Sequence, residues 1–80
     1  MKRVTLYTKP GCHLCESVEQ VIESVRQRVP LQFEKRDITA DAGEFAKYQF
    51  DIPVVTIDGK EVAKYRLTAR ELEDLLASAV

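Results

Sequence analysis

The sequence is poor in the features from which elaborate sites are built. It has two cysteines and one histidine in 80 residues, too few for a disulfide scaffold or for a closed zinc site of four Cys and His ligands. Its 12 Lys and Arg stand against 13 Asp and Glu, and without an excess of either sign there is no electrostatic case for nucleic acid or an anionic membrane as partner. No apolar run is long enough to span a bilayer. Met1-Lys2-Arg3 passes directly into Val4-Thr5-Leu6-Tyr7 without the apolar stretch and cleavage site of a signal peptide, so a cytosolic protein is expected. There is no internal repeat, linker or low-complexity segment. What remains is one domain over residues 1–80, 45% hydrophobic, able to form one core but too small for a second lobe around a bulky cofactor.

What is present is concentrated in Lys9-Pro10-Gly11-Cys12-His13-Leu14-Cys15, which follows an apolar run and opens a helical pattern. In a reducing cytosol a structural disulfide does not persist, so two close cysteines there read as catalytic, redox-sensing or metal-binding. A Cys-x-x-Cys pair between a strand and a helix, in a chain with no other cysteines, reads first as a redox dithiol.

The rest of the chain sorts by period. Val4 to Tyr7 predicts a buried strand, stopped by Lys9-Pro10-Gly11. From Cys12, the spacing of Leu14, Val18, Val21, Ile22, Val25 and Val29 predicts an amphipathic helix of about four turns. Early acidic residues and late Arg26 and Arg28 suit its dipole, and Pro30 ends it. Leu31 to Asp37 alternates as a second strand, with Leu31, Phe33 and Lys35 on one face. Asp41 and Glu44 form a capping pair for a short helix carrying Ala42, Phe45, Ala46 and Tyr48, weakened by Gly43. Val54 to Ile57 is a third strand, Asp58-Gly59 a hairpin turn, and Lys60 to Tyr65 its antiparallel partner. Thr68 and Glu71 make a capping box, Leu67 and Leu72 its hydrophobic staple, and Leu75, Leu76 and Ala79 continue the stripe of a last helix. The aromatics Tyr7, Phe33, Phe45, Tyr48 and Phe50 are expected in or at the edge of the core. The order strand, helix, strand, helix, strand, strand, helix predicts an α/β fold with a mixed sheet.

This order, with Cys-x-x-Cys at the start of the first helix and Ile52-Pro53 just before the third strand, resembles the thioredoxin superfamily, and within it the small glutaredoxin-like proteins. The resemblance covers essentially the whole chain. It implies a thioredoxin-like, glutaredoxin-type fold: a four-stranded mixed sheet with three helices in the order βαβαββα. It also implies thiol–disulfide oxidoreductase activity and a cis bond at Pro53. Two departures bear on substrate. His13-Leu14 stands where glutaredoxins commonly carry Pro-Tyr, and Ala63-Lys64-Tyr65-Arg66-Leu67 stands where the family has a Gly-Gly and an acidic residue that bind the γ-glutamyl end of glutathione. Glutathione and a thioredoxin-reductase-type flavoprotein are therefore both left open as reductant.

A thiolate, not a thiol, attacks a disulfide. Cys12, at the first turn of a helix, lies near unpaired backbone N–H groups that favour negative charge, with Lys9 and His13 adding positive charge and Glu16 opposing them. Cys15 shares a face with Val18 and Ile22 and is expected to be the shielded, resolving cysteine. Ile52 and Pro53 leave backbone groups free to hold a substrate peptide like an added strand. The expected site is thus Cys12 and Cys15 as catalytic pair, with Lys9, His13, Ile52 and Pro53 binding substrate. No tightly bound cofactor or metal is expected. The expected partners are a disulfide-containing protein or a glutathione mixed disulfide and a reductase, acting on a monomer. The rival readings are a metal or iron–sulfur module completed by a second chain or a bound thiol, and a docking domain whose dithiol is only a sensor.

Overall fold

Strand β1 (Lys2–Thr8) is the centre of the fold, in a computed structural model that describes residues 2–78. Its alternation sends Val4 and Leu6 to one face, where both are fully buried, and Tyr7 to the other. Along one side β1 pairs in parallel with β2 (Leu31–Asp37), from Lys2 opposite Leu31 to Thr8 opposite Asp37. Along the other it pairs antiparallel with β3 (Val54–Ile57), and β4 (Lys60–Lys64) closes the sheet in the order β2-β1-β3-β4. This is the mixed four-stranded sheet with three helices that the sequence predicts.

Helix α1 (His13–Arg26) turns Cys15, Val18, Ile22 and Val25 inward, and all four are buried. Of these, Val18, Ile22 and Val25 cluster with Val4, Leu6, Val55 and Ile57 from the sheet, with Leu67, and with Leu72 and Leu76 of α3 (Ala69–Ser78). One face of the sheet therefore carries α1, α3 and the main core. A smaller cluster of Ile38, Tyr48 and Val54, with Tyr7 and Ile52 against it, brings α2 (Ala42–Tyr48) to the opposite face.

The local signals act as their chemistry requires. At the β3–β4 turn Asp58 (φ 51°) and Gly59 (φ 87°) both adopt positive φ, the requirement of the turn that matches strand twist in a two-residue hairpin. Asp58 Oδ1 accepts from the Arg3 N–H at 2.9 Å, while the Asp58 N–H donates to the Arg3 carbonyl at 2.8 Å, which ties the turn to β1. Thr68 and Glu71 exchange the two bonds of a capping box, 3.1 and 2.9 Å, at the start of α3. Asp41 caps α2 by accepting from the Glu44 N–H at 3.0 Å, but the Glu44 side chain does not return the bond and pairs instead with Arg36 at 2.8 Å.

Several expectations are corrected. Phe50 is 83% exposed and Phe45 is also exposed, because seven residues of α2 present only one core position, taken by Tyr48 against Tyr7. Ala42 and Ala46 face solvent. A single 3-10 turn at Ile38–Ala40, absent from the pattern reading, inserts a fully buried Ile38. Val62 bulges from β4, since Glu61 and Ala63 pair with the adjacent Thr56 and Val55. Helix α1 ends at Arg26, so Val29 packs against the core from the following turn. Lys35 does share the face of Leu31 and Phe33, and reaches Glu19 of α1 at 3.1 Å. The predicted Ala79 position lies outside the described residues.

Candidate active site

The topology gathers four segments at one end of the sheet. β1 and β2 both terminate there, β3 begins there after Pro53, and β4 leaves there toward Tyr65. The Lys9–Cys12 loop occupies the centre. Its Cys12 N–H donates to the Lys9 carbonyl at 3.4 Å, with Pro10 and Gly11 (φ 80°) between them. Proline followed by a residue of positive φ is the signature of a tight turn that leaves Cys12 at the threshold of α1.

Cys12 is the N-cap of α1. Its Sγ accepts from the Cys15 N–H at 3.1 Å, so the sulfur takes the place that a Ser or Asp oxygen usually fills at a helix start. Cys12 and Cys15 form a disulfide with Cα atoms 5.2 Å apart. Their environments differ: Cys12 is half-buried and borders a surface cavity, whereas Cys15 is 2% exposed among core residues.

Two depressions flank the start of α1, and they differ in chemistry. On the β2 side a cavity of about 190 Å³ is bordered by Cys12 with Lys9, Lys35, Glu16, Glu19 and Asp37. Asp37 accepts from both the N–H (2.9 Å) and the hydroxyl (2.6 Å) of Thr39, which holds its carboxyl below the usual range. On the α3 side a groove of about 350 Å³ is bordered by Leu14, Val18, Val21, Tyr65, Arg66 and Leu67.

The predicted binding residues fall in different places. Lys9 is exposed and lines the polar cavity. His13 is 95% exposed, with Nδ1 3.6 Å from Glu16 Oε2, and does not border that cavity. The Ile52–Pro53 bond is cis, as the resemblance implies. Ile52 lies before the β3 ladder, whose last pair with β1 is Tyr7 and Val54, and it packs against the cluster of Ile38, Tyr48 and Val54, as does Tyr7, whose ring is 4.5 Å from that of Tyr48. Burial is the main cause of a raised Tyr7 pKa, with Tyr48 and Glu44 adding to it. Among the described residues no three His, Cys, Asp or Glu side chains converge to hold a metal ion.

Sequence reasoning misses two parts of this neighbourhood. Tyr65 adopts φ 67°, its N–H donates to the Pro53 carbonyl at 2.8 Å, and its hydroxyl donates to Asp51 at 3.0 Å. No glycine marks that left-handed position, and the residue pattern carries no sign of it. The acidic side of the polar cavity follows once β1 and β2 are taken as parallel with matched ends, which places Asp37 beside Thr8.

A four-stranded sheet of this order, with a cysteine pair capping its first helix and a cis-proline loop beside it, is the architecture of the thioredoxin fold. The family model for the glutaredoxin-like domain (DUF836) matches residues 3–77, and the chain belongs to that family. A glutaredoxin-like protein of Dictyostelium discoideum is 32% identical over 75 residues, spanning 86% of this chain and 69% of the relative. The crystal structure of the X. campestris protein XcR50 aligns at a TM-score of 0.81 with 27% identity, covering 96% of this chain and 99% of that one. A thioredoxin variant from Halobacterium salinarum, at 19% identity, shares the fold at a TM-score of 0.72, over 96% of this chain and 73% of its own. A glutaredoxin-like chain of this fold with a bonded Cys12–Cys15 pair supports a role of redox type.

Proposed function

We propose that this protein is a thiol–disulfide oxidoreductase in which Cys12 is the nucleophile and Cys15 the resolving thiol. The observation that carries the reading is the asymmetry of the pair: Cys12 Sγ borders solvent and accepts a helix N–H, while its disulfide partner is buried. The N–H donation and the positive end of the helix dipole both favour negative charge on a reduced Cys12 sulfur.

In the reduced protein, the Cys12 thiolate attacks one sulfur of a substrate disulfide. A Cys12 mixed disulfide forms, and the other substrate thiolate leaves and takes a proton from solvent. Cys15, which the helix places three residues away, loses its proton and attacks Cys12 Sγ. The second substrate thiol departs and the Cys12–Cys15 bridge closes, so two electrons have passed from the protein to the substrate. An external dithiol, glutathione or a thioredoxin-reductase-type flavoprotein then returns two electrons. Lys9 at the cavity rim and the backbone of Ile52 before the sheet ladder are the groups we assign to holding substrate. His13 stands in solvent beside Glu16 and does not border the polar cavity.

The test is reduction of a protein disulfide and of a glutathione mixed disulfide, each driven in parallel by glutathione with its reductase and by thioredoxin reductase. Turnover that disappears in Cys12→Ser supports the assignment. Turnover unchanged in Cys12→Ser refutes it, and negligible wild-type turnover with every reductant favours a sensor.

A further inference from the structure

Ile52 stands between two anchored neighbours and is itself unanchored along the backbone. The Asp51 N–H donates to the Tyr48 carbonyl at 2.8 Å, and the Pro53 carbonyl accepts from the Tyr65 N–H at 2.8 Å. Among the described residues neither the N–H nor the carbonyl of Ile52 has a hydrogen-bond partner. Its side chain packs against the cluster of Ile38, Tyr48 and Val54, so the residue is held in place while its peptide groups stay unpaired.

One residue grips this segment on both sides of the gap. Tyr65 reaches Pro53 through its N–H and Asp51 through its hydroxyl, which donates to Asp51 Oδ1 at 3.0 Å and lies 3.4 Å from the Phe50 carbonyl. The other carboxylate oxygen, Asp51 Oδ2, faces Lys64 Nζ at 3.7 Å. Making both contacts strains the backbone. The Arg66 N–H donates to the Lys64 carbonyl at 2.7 Å, and this bond across a single residue, with φ 67° at its centre, makes Tyr65 the middle of a γ-turn of the rare, strained hand. Glycine takes a positive φ freely, but it has no hydroxyl to reach Asp51. A strained residue persists where its surroundings over-determine it, and here the determinants are the two flanks of Ile52.

We infer that Tyr65, acting with Asp51, is the positioning residue of the substrate-holding backbone: it fixes the unpaired peptide groups of Ile52 where an extended substrate segment pairs with them. The inference rests on the oxidoreductase reading and on the role assigned there to Ile52, and adds the residue that sets its geometry. Without the grip of Tyr65, each arriving substrate would have to order this segment, and that ordering would weaken binding. The effect of Tyr65 therefore falls on substrates that have a backbone to pair, rather than on sulfur exchange as such.

The experiment uses pre-reduced protein, as wild type and as variants at Tyr65 and Asp51. The probe is a short cysteine peptide joined as a mixed disulfide to 5-thio-2-nitrobenzoate, whose release is read by absorbance as the peptide concentration is raised. Dithiobis(nitrobenzoate), which releases the same chromophore and has no peptide backbone, is the comparison. The peptide concentration at half-maximal rate is expected to rise about fivefold in Tyr65→Phe and in Asp51→Ala, the scale of one hydrogen bond, with a smaller change in the limiting rate. The double variant is expected to match either single one, since both remove the same contact. Asp51→Asn keeps an oxygen for the Tyr65 hydroxyl and is expected to restore the wild-type value. Tyr65→Gly relieves the turn and removes the hydroxyl, so its urea midpoint is expected at or above that of Tyr65→Phe while its half-maximal concentration is at least as high.

The inference is overturned if the half-maximal concentration is the same in wild type, Tyr65→Phe and Asp51→Ala, or if the loss is confined to the limiting rate. A fall of the same factor with dithiobis(nitrobenzoate) overturns it as well, because the effect then lies on Cys12. Asp51→Asn as impaired as Asp51→Ala would mean that Lys64 acts in place of the hydroxyl, and peptide binding that simply tracks the urea midpoint across all variants would mean a structural role only. Wild-type rates with both probes no faster than those of free cysteine defeat the oxidoreductase reading itself.

Discussion

The Tyr65 hydroxyl donates to Asp51 Oδ1 at 3.0 Å and so ties the exit of β4 to the loop that precedes Pro53. The backbone adds a second tie, from the Tyr65 N–H to the Pro53 carbonyl at 2.8 Å, and Lys64 Nζ lies 3.7 Å from the other Asp51 oxygen. Two loops at the end of the sheet that carries the dithiol are thereby held as one unit, although neither contains a cysteine.

Replacing Tyr65 with phenylalanine keeps the ring in the groove and removes only the hydroxyl. The tie is solvent-exposed, so the stability loss is expected to be smaller than for any core truncation, and faster amide exchange is expected at Asp51 and Tyr65. The hydrogen bond to Asp51 is the main cause of a raised Tyr65 pKa, followed by burial. The folded state therefore keeps the proton more tightly than the unfolded chain. Its contribution is complete below the ordinary value of 10.0 and is lost as pH rises above it. Denaturant titrations across that range should show an alkaline decline in wild type that is reduced in Tyr65→Phe.

Asp37 supplies the opposite sign at the other wall of the site. The Thr39 hydroxyl first, and then the Thr39 N–H, hold its carboxyl below the ordinary 3.8. A depressed folded-state pKa gives stability that is complete above the unfolded value and is lost as pH falls through the folded one. Asp37→Asn should leave a shallower acid limb in a plot of stability against pH. An acid limb that is identical in the two proteins would show that Thr39 does not hold the carboxylate.

Core positions are expected to dominate stability. Leu72 is fully buried and joins α3 to the cluster formed by α1 and the sheet. Leu72→Ala removes several methylene-sized groups from a site that cannot fully collapse, at an expected cost of about 3 kcal/mol. The shift of the urea midpoint, at unchanged slope, measures it.

The legible parts of this structure are those in which one residue type answers one local demand. Asp58-Gly59 declares the hairpin because few residues tolerate positive φ, and Thr68 with Glu71 declares the start of α3 because each satisfies an orphan N–H of the other. The Cys-x-x-Cys spacing likewise gives the buried and bordering sulfurs directly, since helix periodicity puts Cys15 on the line of Val18 and Ile22. Features decided by contacts distant in sequence are not legible. Whether Phe45, Tyr48 or Phe50 enters the core depends on where Tyr7 stands across the sheet, and the apolar residue types are the same in either outcome. Tyr65 takes a backbone conformation suited to glycine because Asp51 and Pro53 hold it from another loop, a demand that no neighbouring residue announces. The groove over Leu14 exists only once Leu67 and Tyr65 have been folded back against α1.

The division of labour between the two sulfurs gives the most direct prediction. If Cys12 attacks and Cys15 resolves, Cys15→Ser removes the second step and leaves the first intact. Mixing the reduced variant with a peptide disulfide should release one peptide thiol per chain and leave the other peptide bound to Cys12, visible as a mass increase that dithiothreitol reverses. In Cys12→Ser the remaining thiol is sheltered in the core, so labelling under native conditions should be slower by orders of magnitude and should become fast only on unfolding. Alkylation of Cys12 in Cys15→Ser should persist at pH values where an unstructured cysteine peptide is protonated, because the N–H of residue 15 and the helix end remain to support the anion. Prompt native labelling of Cys15 in Cys12→Ser, together with a normal pH profile for Cys12, would mean that the sulfurs are equivalent and that the sequence of attack proposed here is wrong.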